Sequence, residues 1–286
     1  MRKGALTALV ALQCGCSISK IALVPTASLL VAGRPAVLDE PDWQQGREAM
    51  PAQLALIESL LVSDPEDLGL RRLAAEGFGG GAFLFLEDAE PARAKGFYLR
   101  GRDHALAALA LTDKDFAGLA ALPPEELEKK LKLAGKESVP DLFWAGFSWA
   151  GYVNLSKDDA SALADLPKAV ALMTRSWELD PSFQHGGADL FFGLYHASRP
   201  PLLGGNPAKA KTHFEWAHRI TKGQYLMTHY LNARWYAVAV QDQELCRQLL
   251  KKVLDEPSGR IPGTRLADEA AKRKAAAMME RIDDYF

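Results

Sequence analysis

The chain has 286 residues, 34 basic and 36 acidic, for a net charge of −2. That length buries a large core, in one domain or in two closely packed halves. The near-neutral balance leaves no whole-chain electrostatic case for nucleic acid or anionic lipid, and three cysteines are too few for a disulfide scaffold.

Residues 1–16 read as a short export signal of a lipoprotein. Arg2 and Lys3 form a basic start and residues 5–12 an apolar run, too short to span a bilayer. Gln13-Cys14-Gly15-Cys16-Ser17 then places a small residue before a cysteine, as in a bacterial lipobox, with Gln13 where that pattern has Leu. Cys16 is the candidate lipidation site, and several acyl chains there would hold the protein at a membrane surface. Residues 17–38, interrupted by Lys20, Pro25 and Gly33, read as a tether or a short packed helix rather than a span.

From residue 39 onward a single helical domain is expected. Asp39-Glu40-Pro41-Asp42 opens a helix, since acidic residues suit the positive end of its dipole. Residues 51–63 carry Leu54, Ile57, Leu60 and Leu61 at helical spacing. Asp64-Pro65 then stops that helix and starts the next.

The strongest signal is internal repetition. Asp64-Pro65 recurs 116 positions later as Asp180-Pro181. The same offset relates Pro51 to Pro167, Gly77 to Gly193, Pro91 to Pro207, Ala94 to Ala210, Tyr98 to Phe214 and Gly101 to Ala217. The repeats run over about 51–101 and 167–217. Each carries part of a tetratricopeptide pattern: a small residue on a first helix, then small-x3-aromatic-x2-small on a second. Steps of four and three put those residues on one face, where small side chains admit the paired helix. The first small residue and the later Ala stand 17 apart in both copies, against about 12 in a standard repeat. Both copies therefore carry the same insertion.

In the first copy, residues 68–86 contain Gly79-Gly80-Gly81, each costing a helix roughly 1 kcal/mol against Ala. Either a close helix crossing or a ligand passing near the backbone offsets that. Residues 91–109 form the second helix, and the charged stretch 114–136 is expected on the surface. Residues 140–153 are aromatic or small on every face, which marks a buried helix. The linker of the second copy, Arg199-Pro200-Pro201-Leu202-Leu203-Gly204-Gly205, is rigid at its prolines and bent at its glycines. Arg199 there either meets a ligand carboxylate or caps the preceding helix. Residues 224–240 form another aromatic-rich helix, and residues 243–254 and 266–282 finish the chain, the last as a charged cap. No stretch alternates with period two, so the expected fold is all-α: tetratricopeptide-like hairpins in a compact α-α superhelix with two related halves.

No catalytic constellation is visible, and no cofactor or metal is expected. Gly146-Phe147-Ser148-Trp149-Ala150 is close to the G-x-S-x-G elbow of hydrolases, but that elbow needs a strand before it. None of the six histidines has zinc-site spacing. What remains is a binding surface. Trp144, Trp149, Asn154, Tyr195, His196, Arg199, Tyr230 and Arg234 combine apolar area with a few polar tips, a mixture that suits a small-molecule pocket.

These residues, taken in order, resemble a known family. The set includes Gly15-Cys16-Ser17, Ala49-Met50-Pro51, Ser63-Asp64-Pro65, Tyr98-Leu99-Arg100-Gly101-Arg102-Asp103, Leu142-Phe143-Trp144, Leu155-Ser156-Lys157-Asp158 and Leu179-Asp180-Pro181. Its most specific part is Ser198-Arg199-Pro200-Pro201-Leu202-Leu203-Gly204-Gly205, followed by Ala210, Lys211 and His213-Phe214. The resemblance is to the T component associated with TRAP transporters (TatT). It implies a periplasmic, lipid-anchored, non-enzymatic trimer of tetratricopeptide-like helix pairs, with a channel or cleft through each protomer. It also implies partnership with the transporter's periplasmic substrate-binding protein and a small hydrophobic or carboxylated ligand. The alternative is a protein–protein scaffold lipoprotein without a ligand.

Overall fold

A computed structural model describes residues 15–286, with side chains from residue 25 onward. Residues 1–14 of the expected export signal, and the side chain of Cys16, lie outside what it describes. Among the described residues there are helices and turns and no strand, as the helical periodicity predicts.

Helix α1 (Gly15–Leu38) runs through Pro25 and Pro35. Where a tether or short helix was expected, the chain forms a 24-residue helix. The reason is tertiary: Ala27 is buried, Leu30 packs on the same core cluster, and the Arg34 guanidinium grips the Glu76 carboxylate with two hydrogen bonds. Helix α2 (Trp43–Ser63) starts at Asp42, whose carboxylate accepts from the amides of Gln44 and Gln45. It is longer than the expected 51–63, and Pro51 lies inside it. Helix α3 (Leu68–Gly81) is capped by Asp67 and continues as a π-helical segment, Ala82–Leu86. Helix α4 (Pro91–Thr112) folds back on α3 to form the first hairpin.

Residues 114–136 differ from expectation. Two 3₁₀ turns and helix α5 (Pro124–Leu131) bury Phe116, Leu119, Leu127 and Leu131. The charges that suggested a surface strip occupy only the outer side of these amphipathic elements. Helix α6 (Val139–Leu155) packs against α4 and α3. After the short α7 (Ala160–Ala164), helix α8 (Leu166–Leu179) covers the other side of α6. Helices α9 (Phe183–Ala197) and α10 (Pro207–Ile220) form the second hairpin. Helix α11 (Leu226–Leu231) runs into a second π-helical segment, Asn232–Ala237, and α12 (Gln243–Asp255) and α13 (Arg265–Glu280) close that end. Helix α13 also returns to α1 and α2.

The two hairpins repeat each other in burial as in sequence. Ala94 and Ala210 are both fully buried, as are Tyr98 with Phe214 and Gly101 with Ala217. They diverge in what the ring meets: Phe214 packs on Gly193 of its own hairpin, whereas Tyr98 packs on Gly151 of α6. The insertion also differs in form. In the first copy it becomes the π extension of α3; in the second it is the linker, a 3₁₀ turn at Pro201–Leu203. Gly205 in that linker is obligatory, because a Cβ there would lie 1.8 Å from the carbonyl oxygen of Arg199. The shared crossing predicts that Ala94→Trp and Ala210→Trp each lower stability by about 1–3 kcal/mol or more. Thermal melts of both variants check it, and an unchanged midpoint in either would remove that position from the repeat.

Candidate functional site

Three helices carry a stripe of half-buried residues although all three lie inside the fold. On α3 and its π extension these are Glu76, Gly80, Phe83, Leu84 and Glu87. On α6 they are Trp144 and Phe147, and on α9 Gln184, Gly187, Phe191 and Leu194. The stripes adjoin one another. Trp144 lies 3.7 Å from a Cβ built on Gly80, Phe83 meets Phe147 edge-on at 5.7 Å, and Phe143 meets Phe183 at 5.3 Å. Phe143 also covers Gly187, and Gln184 bonds Glu76 across from α9 to α3. We take this convergence of partly exposed side chains, mostly apolar with a few polar groups, as the candidate cleft, since that is the usual make-up of a small-molecule site.

The glycine run divides between the two roles its sequence allowed. A Cβ on Gly79 would lie 2.5 Å from Ser148 Oγ, and one on Gly81 2.1 Å from Met50 Sδ, so these two admit α6 and α2. Gly80 has no neighbour closer than 3.7 Å; it turns bare backbone toward the cleft. The π segment that follows shifts the helical register, placing Phe83 and Leu84 on the cleft and Phe85 and Leu86 in the core. Such π insertions recur at functional sites.

One end of the cleft is polar and strained. Gln184 and His185 have φ of 48° and 59°, followed by Gly186 at 81°, a left-handed turn costing of order 1–3 kcal/mol per non-glycine residue. The surroundings hold it. Gln184 Nε2 donates to Glu76 Oε1 at 3.1 Å, His185 rests on the Tyr225 ring at 5.3 Å, and Gly186 sits against the backbone of Ala217. The other end gathers charges. The Tyr98 hydroxyl donates to Glu87 Oε2 at 2.6 Å, and Lys274 pairs with Asp88. Burial raises the Glu87 carboxyl above its ordinary range, with the Lys274 charge opposing. Burial also pushes the Tyr230 hydroxyl well up, with Asp88 adding to it. The Arg234 guanidinium lies between the Trp235 and Tyr285 rings, 4.8 and 4.9 Å from their centroids.

The eight residues singled out from sequence divide into five places. Trp144 lines the cleft. Tyr230 and Arg234 stand at its charged end, Arg234 on the second π segment. Tyr195, His196 and Arg199 cluster where α9 meets the linker, and Tyr195 extends the cleft stripe by stacking on Phe191 at 6.3 Å. The Arg199 guanidinium covers the Tyr195 ring at 4.3 Å and its Nη1 donates to the Leu203 carbonyl at 3.4 Å. Arg199 therefore braces the linker and does not cap α9. Trp149 and Asn154 are not in the cleft. Trp149 is 1% exposed in the core between α4, α6 and α8, with the Arg102 and Lys168 cations near its ring, and Asn154 is exposed near the end of α6. An all-apolar helix carries no sequence mark of which ring faces which neighbour. Ser148 is fully buried in mid-helix between Gly79 and Gly101, so the elbow pattern has no elbow.

A polar group was read only in part from the sequence, which singled out His196 but not Asp189 or His213. His213 Nδ1 bonds the carboxylate of Asp189 at 2.8 Å, and Asp189 is 1% exposed. His196 Nδ1 donates to the Gly204 carbonyl at 3.1 Å, and its ring stacks on His213 at 5.8 Å. The rings of Trp177, Phe192 and Trp216 surround His213. At the repeat offset, Asp189, His196 and His213 correspond to Leu73, Gly80 and Phe97. The first copy thus makes the same fold without this group. The offset comparison was available in the sequence and would have flagged it. Among the described residues, no three His, Cys, Asp or Glu side chains converge as a metal site would require.

Comparison with known proteins agrees with this architecture. The chain is 22% identical over 267 residues to a protein of Treponema pallidum (strain Nichols) that bears only the name "Uncharacterized protein". The alignment covers 87% of this chain and 81% of that one. A model of the TRAP transporter T-component family matches residues 39–286. The chain belongs to the TRAP transporter T-component family.

Proposed function

We propose that the protein serves a TRAP-type uptake system by holding a small ligand in the cleft between α3, α6 and α9 and exchanging it with the transporter's substrate-binding protein. The observation that carries this reading is the convergence of three half-buried stripes in an otherwise tightly packed helical interior. The lining is aromatic and aliphatic, so the ligand has an apolar body. Arg234 and Lys274 at one end suit a carboxylate or another anionic tip. The chain is exported, acylated on Cys16, trimeric and non-catalytic in this reading. Incorporation of a labelled fatty acid that Cys16→Ser abolishes would support the anchor, and equal incorporation would refute it.

Gly80 provides the main test. A Cβ there meets nothing closer than Trp144 at 3.7 Å, and leucine gains roughly 1 kcal/mol of helix propensity over glycine, while the rest of its side chain extends into the cleft. Gly80→Leu is expected to melt at or above the parent's temperature, yet bind a fluorescent fatty acid at least tenfold more weakly. Native mass spectrometry should show it without any small molecule that co-purifies with the parent. Gly79→Leu is the contrast, losing stability because Ser148 stands in the way. A well-folded Gly80→Leu variant that binds like the parent overturns the cleft.

A scaffold reading draws on a different observation. Leu202 is 98% and Leu203 65% exposed on a linker held rigid by two prolines and by Arg199. Such a knob suits docking to another protein. If Leu202→Asp abolishes binding to the substrate-binding protein while Gly80→Leu changes nothing, the scaffold reading replaces the ligand one.

A further inference from the structure

The half-buried stripe on α3 and its π extension is not uniform along its length. Glu76 comes first, then the bare backbone of Gly80, then Phe83 and Leu84, then Glu87: an apolar middle between two acids. The neighbouring side chains follow the same order. Gly187 stands between Gln184 and Phe143, Phe143 stacks on Phe147 at 5.9 Å, and Phe147 meets Phe83. The Lys274 ammonium then lies 5.5 Å from the Phe83 ring. One run of contacts thus passes from polar through aromatic to charged. At 1.5 Å per residue, Glu76 and Glu87 stand about 16 Å apart along the helix, the span of an extended chain of about a dozen methylenes.

The two ends differ in charge. At the Glu76 end the Arg34 guanidinium and the Glu76 carboxylate neutralise each other. Burial, then the Arg34 charge, lower His185 below its ordinary value, so its ring is neutral at neutral pH. What this end offers is hydrogen bonding. The Gln184 amide donates to Glu76, which leaves its carbonyl oxygen to accept. The His185 ring nitrogens and the Tyr225 hydroxyl make no hydrogen bond among the described residues. At the Glu87 end, Lys274 is paired with Asp88 and the Tyr98 hydroxyl with Glu87. Arg234 lies between two rings and has no carboxylate paired with it among the described residues. Neither end is a plain opening to water. Burial raises the Glu87 carboxyl, and Gln184 and His185 hold left-handed backbone.

Resting on the cleft proposed above, we infer that its ligand is polar at both ends: an extended apolar body, an anionic group at Arg234, and a neutral hydroxyl against Gln184, His185 and Tyr225. An apolar tail at the Glu76 end would strip those three groups of water and return no hydrogen bond, which is unfavourable. A hydroxyl there exchanges water for protein partners. The cleft therefore selects an ω-hydroxy acid over the plain fatty acid of the same length.

The probes are dodecanoic acid and ω-hydroxydodecanoic acid, each titrated by calorimetry into the full chain. The hydroxy acid is expected to bind at least fivefold more tightly. A hydroxyl carried into apolar surroundings loses affinity instead, so the sign of the difference decides. Tyr225→Phe removes a hydroxyl that bonds nothing in the fold, so its melting temperature should match the parent's. It should bind dodecanoic acid as the parent does and lose most of the gain from the ligand hydroxyl. Arg234→Met should weaken both acids at least tenfold and leave dodecanol unaffected. If dodecanoic acid binds as well as the hydroxy acid or better, while Gly80→Leu blocks both, the inference is overturned and the cleft stands. A hydroxyl gain that survives Tyr225→Phe overturns it too. If neither acid binds the parent, or Gly80→Leu binds both as the parent does, the cleft itself fails and the inference with it.

Discussion

Arg72→Met lowers the stability of this protein by about 3–5 kcal/mol, the usual cost of removing one partner from a buried ion pair. The Asp141 side chain is wholly inaccessible. Arg72 reaches it from α3 with Nε at 2.8 Å and Nη2 at 2.7 Å, and Thr112 of α4 adds a longer bond at 3.3 Å. Met keeps most of the stem's packing but leaves a carboxylate without compensation in the core. The pair also ties α3 to the first turn of α6, two walls of the cleft, so ligand binding weakens with it. The pH dependence separates charge from packing. Burial already raises the Asp141 carboxyl above its ordinary value, against the pull of Arg72, and losing Arg72 raises it further. A folded carboxyl with a raised pKa costs stability as pH rises through it. The deficit of Arg72→Met is therefore largest at neutral pH and shrinks as pH falls toward 4 and the Asp141 carboxyl takes up a proton. Urea unfolding at the two pH values measures this. A deficit under 1 kcal/mol, or one independent of pH, would show that the pair matters only for shape.

Acid weakens the junction between the second hairpin and the closing helices. His218 on α10 and His229 on α11 stand with ring centroids 4.3 Å apart. His229 Nε2 donates to the Gly223 carbonyl at 2.9 Å, and Lys252 adds positive charge. Burial, then His229, then Lys252 lower His218 to about 4, and burial lowers His229 as well. A histidine with a depressed folded pKa binds fewer protons folded than unfolded. Its contribution is fully present above the unfolded value of about 6.5 and is lost as pH falls toward 4. The part due to His218 is at most about 3–4 kcal/mol, since each pKa unit is worth about 1.4 kcal/mol and the shift is from 6.5 to about 4. Unfolding free energy is thus expected to be flat above pH 7 and to fall steeply between pH 6.5 and 4. His218→Phe should remove at least a third of that fall, the remainder belonging to His229 and to His104, His185 and His196, which burial also lowers. A variant whose pH profile overlays the parent's would clear His218 of the role.

What the sequence determined by itself is local or repeated. Helical spacing of apolar residues acts within a few turns, so the all-α fold and most helix limits are legible without any partner. The offset between Ala94/Tyr98 and Ala210/Phe214 is legible because two copies of a close crossing need the same small residues, and the structure buries all four. The tertiary structure alone decided the rest. The π segments Ala82–Leu86 and Asn232–Ala237 follow from register shifts that packing imposes and composition does not record. The left-handed turn at Gln184 and His185 persists because Glu76 and Tyr225 hold it from other helices. Arg72 and Asp141 are 69 residues apart, and Asp189 and His213 are 24 apart, so only the fold makes them pairs. Trp144 and Trp149 are five residues apart on α6 and equally aromatic, yet one lines the cleft and the other the core. That outcome depends on which side of α6 α4 and α8 cover, a matter of how the hairpins dock rather than of any residue in the helix itself.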